Sequence, residues 1–168
     1  MLRWSLLAVS IGLLFPWWNA QPERVRHIPL VAHGLQPAVV FIGDVGPALP
    51  RAQAALERVL ATPVGVKARE LLDAGVLGGP LVIELNHRGE NFTAYRVPGL
   101  ELGETILFDP WSRPVVATER GREEAAPETV LAHELGHAVF KLTSEEAVIQ
   151  AIENPIRAEL GMPRRSHF

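Results

Sequence analysis

The chain contains no cysteine, which removes disulfides, Cys-ligated zinc and thiol nucleophiles and leaves its redox compartment open. It also has little net charge: 16 Lys and Arg against 19 Asp and Glu give −3. The arginines are scattered rather than lined along one face, so there is no electrostatic footprint for nucleic acid, and none is expected as a partner. No apolar run is long enough for a comfortable membrane span. No internal repeat or low-complexity tract is present. What remains is 168 residues with 48% hydrophobic content, enough for one core of ordinary size and not for a second catalytic domain.

Within that single core one motif carries chemistry. His133-Glu134-Leu135-Gly136-His137 places two imidazoles four residues apart, one above the other on a helix face, with a carboxylate beside the first. Composition alone gives about 0.02 occurrences of such a pattern by chance. Pro127 and Glu128 read as a first helical turn, where the missing N–H of Pro costs nothing and the carboxylate faces the positive helix end. Val130, Leu131, Leu135, Ala138 and Val139 then recur at helical spacing. Two neutral nitrogens suit Zn²⁺, an open coordination position holds water, and Glu134 can take that water's proton as it attacks a carbonyl. The plainer alternative is a helix whose histidines only form hydrogen bonds; spacing and placement together favour the metal. Gly136 costs about 1 kcal/mol against Ala in a helix interior, and its bare backbone suits close approach of a strand or substrate.

Residues 1–20 differ from the rest. Arg3 precedes an apolar run from Trp4 to Phe15, followed by Pro16-Trp17-Trp18-Asn19-Ala20, the charged start, short apolar centre and polar end of an export signal. Bulky Trp18 argues against cleavage after Ala20. The nearest rival is an uncleaved anchor tethering residues 4–18 to a membrane with Trp17 and Trp18 at the interface; a buried N-terminal helix is the third option. The expectation is an exported protein, periplasmic or secreted, or one held at the membrane by this segment.

Residues 21–37 read as a linker and 38–168 as one folded domain. Ala38 to Ile42 is a β-branched run ended by Gly43-Asp44. Arg51 to Leu60 has apolar residues at helical spacing, and Thr62-Pro63 caps and starts a second helix through Ala74, with Gly75 as terminator. Both helices read as structural. Leu81 to Leu85, Phe92 to Val97 and Thr105 to Phe108 are short strands separated by turn residues, and a polar segment from Thr118 to Ala126 leads into the motif helix. The fold class expected is α+β, a small mixed or antiparallel sheet packed on helices. A strand just before the motif helix can form an edge that accepts an extended peptide.

Two histidines need a further ligand, here Asp or Glu. Lys141-Leu142-Thr143 is a tight link and Ser144 caps a helix from Glu145 to about Asn154, which gives an antiparallel pair. With the turn centred near Leu142, the level between the histidines maps to about position 149, flanked by Glu146 and Glu153. Glu146 is the preferred ligand, because Glu-Ala-Val-Ile-Gln resembles the second zinc-helix pattern of gluzincins. Glu153 is its competitor, and Glu145 reads as a helix-dipole carboxylate. His27, His33 and His87 read as surface residues.

The stretch Leu131 to Ala138, then Glu145-Glu146, Glu153-Asn154-x-x-Arg157 and Leu160-Gly161-x-Pro163-x-Arg165, resembles the NleD-like effector-protease family of bacterial zinc metallopeptidases. Thr62-Pro63-x-Gly65, Leu71-Leu72 and Ile106-x-Phe108-Asp109-Pro110 are similar too, so the likeness spans about Val40 to Phe168. It implies a zincin-like metallopeptidase domain with His133 and His137 as zinc ligands, Glu134 as general base, and a protein or peptide substrate. The chain ends in Phe168 where the family commonly has Tyr, which removes a terminal phenol from the oxyanion. Arg157, Arg165, His167 and Tyr95 are the remaining candidates for that role, although Asn154 and Arg157 read better as hydrogen-bonding supports for the zinc carboxylates and the tail. Two other functions share the motif: hydrolysis of a non-peptide amide by the same metal, and an inactive metal-binding interaction domain. The intact Glu134 speaks against the second.

Overall fold

Thr62 and Pro63 start a helix as the sequence predicts, and its ends show why. The Thr62 hydroxyl accepts the Gly65 N–H at 3.1 Å, and Pro63 occupies the first turn. At the other end Gly75 adopts φ 70°, its N–H donates to the Leu72 carbonyl, and the Val76 N–H reaches back to Leu71. This closes the last turn as only a left-handed residue can.

The computed structural model describes residues 38–43, 46–94 and 104–166, and it is α+β. The expected leader (1–20) and linker (21–37), together with Tyr95, His167, Phe168, His27 and His33, lie outside the described residues. Among the described residues no helix is long and apolar enough to cross a membrane. The elements run β1 (Val39–Gly43), α1 (Ala48–Leu60), α2 (Pro63–Asp73), β2 (Leu81–Leu85), β3 (Phe92–Ala94), β4 (Thr105–Phe108), β5 (Val115–Thr118), β6 (Gly121–Glu124) and α3 (Pro127–Ala138). A last helical run comprises α4 (Glu145–Val148), a π-helical turn (Ile149–Glu153) and α5 (Asn154–Glu159).

The main sheet is mixed, in the order β1-β2-β4-β3. β1, β2 and β4 are parallel, with Phe41 opposite Ile83 and Ile83 opposite Ile106; β3 runs antiparallel to β4, with Thr93 opposite Ile106. Parallel strands covered on both faces are apolar throughout rather than alternating, as Val39-Val40-Phe41 and Leu81-Val82-Ile83 are. Thr105–Phe108 is an interior strand, not the edge; among the described residues the edge near the motif helix is β3. β6, within the stretch expected to be a polar lead-in, pairs with β5 just before it as a separate hairpin.

α3 packs on β3, β4, α1 and the last helical run. Leu131, Ala132, Leu135 and Ala138 of α3 join Leu56, Val59, Ile83, Ile106 and Phe108 in one core. The α1–α3 contact carries an ion pair, Arg58 with Glu128, and Arg51 Nε donates to the Pro110 carbonyl. Gly136 faces neither a strand nor a substrate: a Cβ there would meet Val148 Cγ1 at 2.7 Å, so the glycine lets the last helical run approach α3. Gly136 lies against Val148, His133 against Glu153 and Thr129 near Arg157, so the two helices run antiparallel.

Candidate metal centre

α3 places His133 and His137 on one face at i, i+4, and their Nε2 atoms stand 3.3 Å apart. The other nitrogen of each ring is already committed. His137 Nδ1 lies 2.6 Å from the Leu142 carbonyl oxygen, which can only accept, so Nδ1 carries the proton. That carbonyl is presented by the turn after α3, where Lys141 takes φ 58° and the Leu142 N–H returns to Gly136. His133 Nδ1 lies 3.0 Å from Glu153 Oε2. In the neutral rings both Nε2 atoms are consequently lone pairs pointed at one place.

A carboxylate arrives at the same place. Glu145 Oε2 is 2.9 Å from His133 Nε2, and Oε1 is 3.3 Å from His137 Nε2. The ligand atoms of His133, His137 and Glu145 all lie within 4.8 Å of one another, the one such group among the described residues. Two lone pairs and an anion converging repel unless a proton or a cation stands among them. Two imidazole nitrogens and one carboxylate are the donor set of many catalytic zinc sites, so the residues fit that ion.

The sequence put Glu146 here, and the structure brings Glu145 instead; Glu146 is exposed and outside the group. A π-helical turn sets how Glu145 stands relative to Glu153. In a regular α-helix Glu146 and Glu153, seven apart, share a face, whereas residues eight apart differ by about 80° around the axis. The Asn154 N–H bonds Ile149 O, an i→i+5 step. One residue accommodated this way takes up about 100° and brings Glu145 into line with Glu153. Pro155 is the signal in the sequence: it has no N–H to give the Ala151 carbonyl, and its ring clashes with that carbonyl in a regular helix.

Glu153 is not among the converging ligands but supports one of them. Its side chain is 2% exposed, and it receives Arg157 Nε at 2.8 Å and Arg165 Nη1 at 3.1 Å besides His133 Nδ1. Burial pushes the Glu153 carboxyl up, but His133, Arg157 and Arg165 outweigh that and hold it below the usual glutamate value. For His133 burial pulls the ring down, while the carboxylates of Glu153, Glu134 and Glu145 leave it above the usual histidine value. Asn154 clamps the tail, as expected of it: its side chain donates to the Arg165 carbonyl at 3.0 Å and accepts the Arg165 N–H at 2.7 Å.

Glu134 is 7% exposed, and burial raises its carboxyl against the opposing effects of Thr93 and the two histidines. Thr93, from edge strand β3, places its hydroxyl 2.8 Å from Glu134 Oε2 and 3.0 Å from the Glu134 carbonyl oxygen. Sequence reasoning gave Thr93 no role; a lone Thr in a short strand carries no signal without the strand order. Two cavities border His133 and Glu134. One, of about 430 Å³, is lined by Asn91, Phe92, Thr93, His137, Thr143 and Glu145. The other, of about 250 Å³, is lined by residues including Ser112, Val116, Val130 and Arg165. His87 stays on the exposed loop, its ring against Trp111 with centroids 4.8 Å apart.

No protein-family model, curated protein or solved structure matches the chain.

Proposed function

We propose that the chain is a zinc-dependent endopeptidase of zincin-like fold, with His133, His137 and Glu145 as the metal ligands and Glu134 as general base. The observation that carries this reading is the convergence of two Nε2 lone pairs and a carboxylate, with both Nδ1 atoms held by acceptors and a further carboxylate next in sequence to the first histidine. Zinc, when bound, supplies a Lewis acid that acidifies water and polarises a carbonyl. Glu134 takes the proton of the attacking water on a carboxylate oxygen and passes it to the leaving amine, a role suited to a buried carboxyl whose affinity for protons is raised. His133 and His137 keep their ring planes because Glu153 and Leu142 hold the far nitrogens.

A peptide substrate is favoured over another amide by the position of β3. It is the edge strand, and Asn91, Phe92 and Thr93 line the cavity beside Glu134. An exposed edge binds an extended chain through main-chain hydrogen bonds. The leader-like residues 1–20 would deliver the enzyme outside the cytoplasm or hold it at a membrane.

The test combines metal analysis of the purified protein with digestion of an unstructured protein, with and without a chelator. One zinc per chain and chelator-sensitive cleavage are expected. Absence of zinc, or cleavage that persists in Glu134→Gln, overturns the reading.

A further inference from the structure

The C-terminal segment is built into the metal centre from behind. Arg165 forms an antiparallel bridge with Thr118 of β5; the Glu119 N–H donates to the Arg164 carbonyl at 2.9 Å, and the Ser166 N–H to Ala117 at 3.0 Å. The tail is thus fastened to β5 by an isolated antiparallel bridge. Asn154 holds the Arg165 main chain through both its N–H and its carbonyl. With its backbone fixed from two sides, Arg165 directs Nη1 onto Glu153 Oε2, the oxygen that also faces His133 Nδ1.

The geometry points to Arg165 as a positioning residue that sets the affinity of the site for its metal, acting through Glu153 on His133. This rests on the zinc reading above and adds to it a residue that touches neither metal nor substrate. A carboxylate with one oxygen on Arg157 and the other free to turn would let the His133 ring rotate. Arg165 at Oε2 fixes the carboxylate plane, and the plane fixes the ring. Its side chain is 18% exposed, so the contact is largely shielded from water and strong enough to steer. The β5–β6 hairpin, distant in sequence, is thereby tied to Glu153 through Arg165.

The experiment measures zinc affinity by chelator competition on the full chain, for wild type, Arg165→Met, Arg165→Lys and Arg164→Met, below the unfolding temperature of each. Arg165→Met should bind zinc about tenfold more weakly, the lower end of what loss of a ligand's supporting partner costs. Arg165→Lys should recover part of this. Arg164→Met, which removes the neighbouring cation and leaves Glu153 untouched, should match wild type. Unchanged zinc affinity in Arg165→Met overturns the inference, as does an equal loss in Arg164→Met. A wild type that takes up no zinc overturns the zinc reading and this inference together; a wild type that binds zinc beside an unaffected Arg165→Met overturns this inference alone.

Discussion

Glu145 and Glu153, eight positions apart on one helical run, reach opposite nitrogens of the same ring: Glu145 Oε2 lies 2.9 Å from His133 Nε2 and Glu153 Oε2 lies 3.0 Å from Nδ1. One carboxylate is half exposed and converges with His137; the other is buried between two arginines. The same side-chain chemistry therefore serves two tasks, and substitutions separate them.

Glu145→Gln should lose zinc by more than the roughly 10–100-fold expected from removing a supporting partner, while Glu146→Gln keeps wild-type metal content. Metal stoichiometry after dialysis checks both. Zinc lost from Glu146→Gln but kept by Glu145→Gln would return the ligand to position 146.

Glu153→Gln should weaken zinc binding by about 10–100-fold. It should also destabilise the fold by about 3–5 kcal/mol, because Arg157 keeps its buried charge without an anion. Denaturant unfolding of the zinc-free protein measures the second effect.

Glu134→Gln should reduce hydrolysis by about 10²–10⁴-fold at unchanged zinc content, since the amide cannot accept the water's proton. Metal loss in this variant would mark Glu134 as structural.

Gly136→Ala should destabilise by about 1–3 kcal/mol, although Ala is the better helix former, because its Cβ would lie 2.7 Å from Val148 Cγ1 and a β-branched side chain has little room to turn. Pairing it with Val148→Ala should return most of the loss. Melting temperatures of the single and double variants decide this.

Stability of the zinc-free protein should depend on pH in two windows. Glu153 sits below its usual 4.5, so its contribution is present above that pH and is lost as pH falls through the folded value. His133 sits above its usual 6.5, so its contribution is full below 6.5 and is lost as pH rises through the folded value. Between the two, the raised Glu134 carboxyl acts against stability as pH rises from 4.5 through its folded value. Glu153→Gln should flatten the Glu153 and His133 slopes. Zinc affinity should weaken as pH drops below the raised His133 value, because the proton competes with the metal.

The parts legible in the sequence were those encoded locally. Thr62, Pro63 and Gly75 specify α2 through caps and turns within a few residues, and Pro127 with the apolar repeat specifies α3. Strand β6 at Gly121–Glu124 was not legible, because Gly-Arg-Glu-Glu is polar, largely exposed and without alternation. The edge position of β3, and with it Thr93, depends on strand order, which no short run encodes. The converging carboxylate lies one residue from the expected Glu146, which was preferred on the likeness of Glu-Ala-Val-Ile-Gln to a gluzincin pattern; a likeness of that kind does not resolve a one-residue shift around the helix axis. Asn154 and Arg157 were read as supports of the site and tail, and the Asn154–Arg165 and Arg157–Glu153 bonds are of that kind.

All three converging groups come from the single stretch between His133 and Glu145, with no contribution from the sheet. An unfolded chain therefore still keeps them near one another and retains some hold on the ion, so added zinc should raise the melting temperature less than its affinity for the native protein alone would give. Metal uptake reports on the helical pair and on the Arg165 segment that braces Glu153. The hydrogen bond from Thr93 to Glu134 forms only once β3 has joined the sheet, which makes hydrolysis, and not zinc content, the measure of a finished fold.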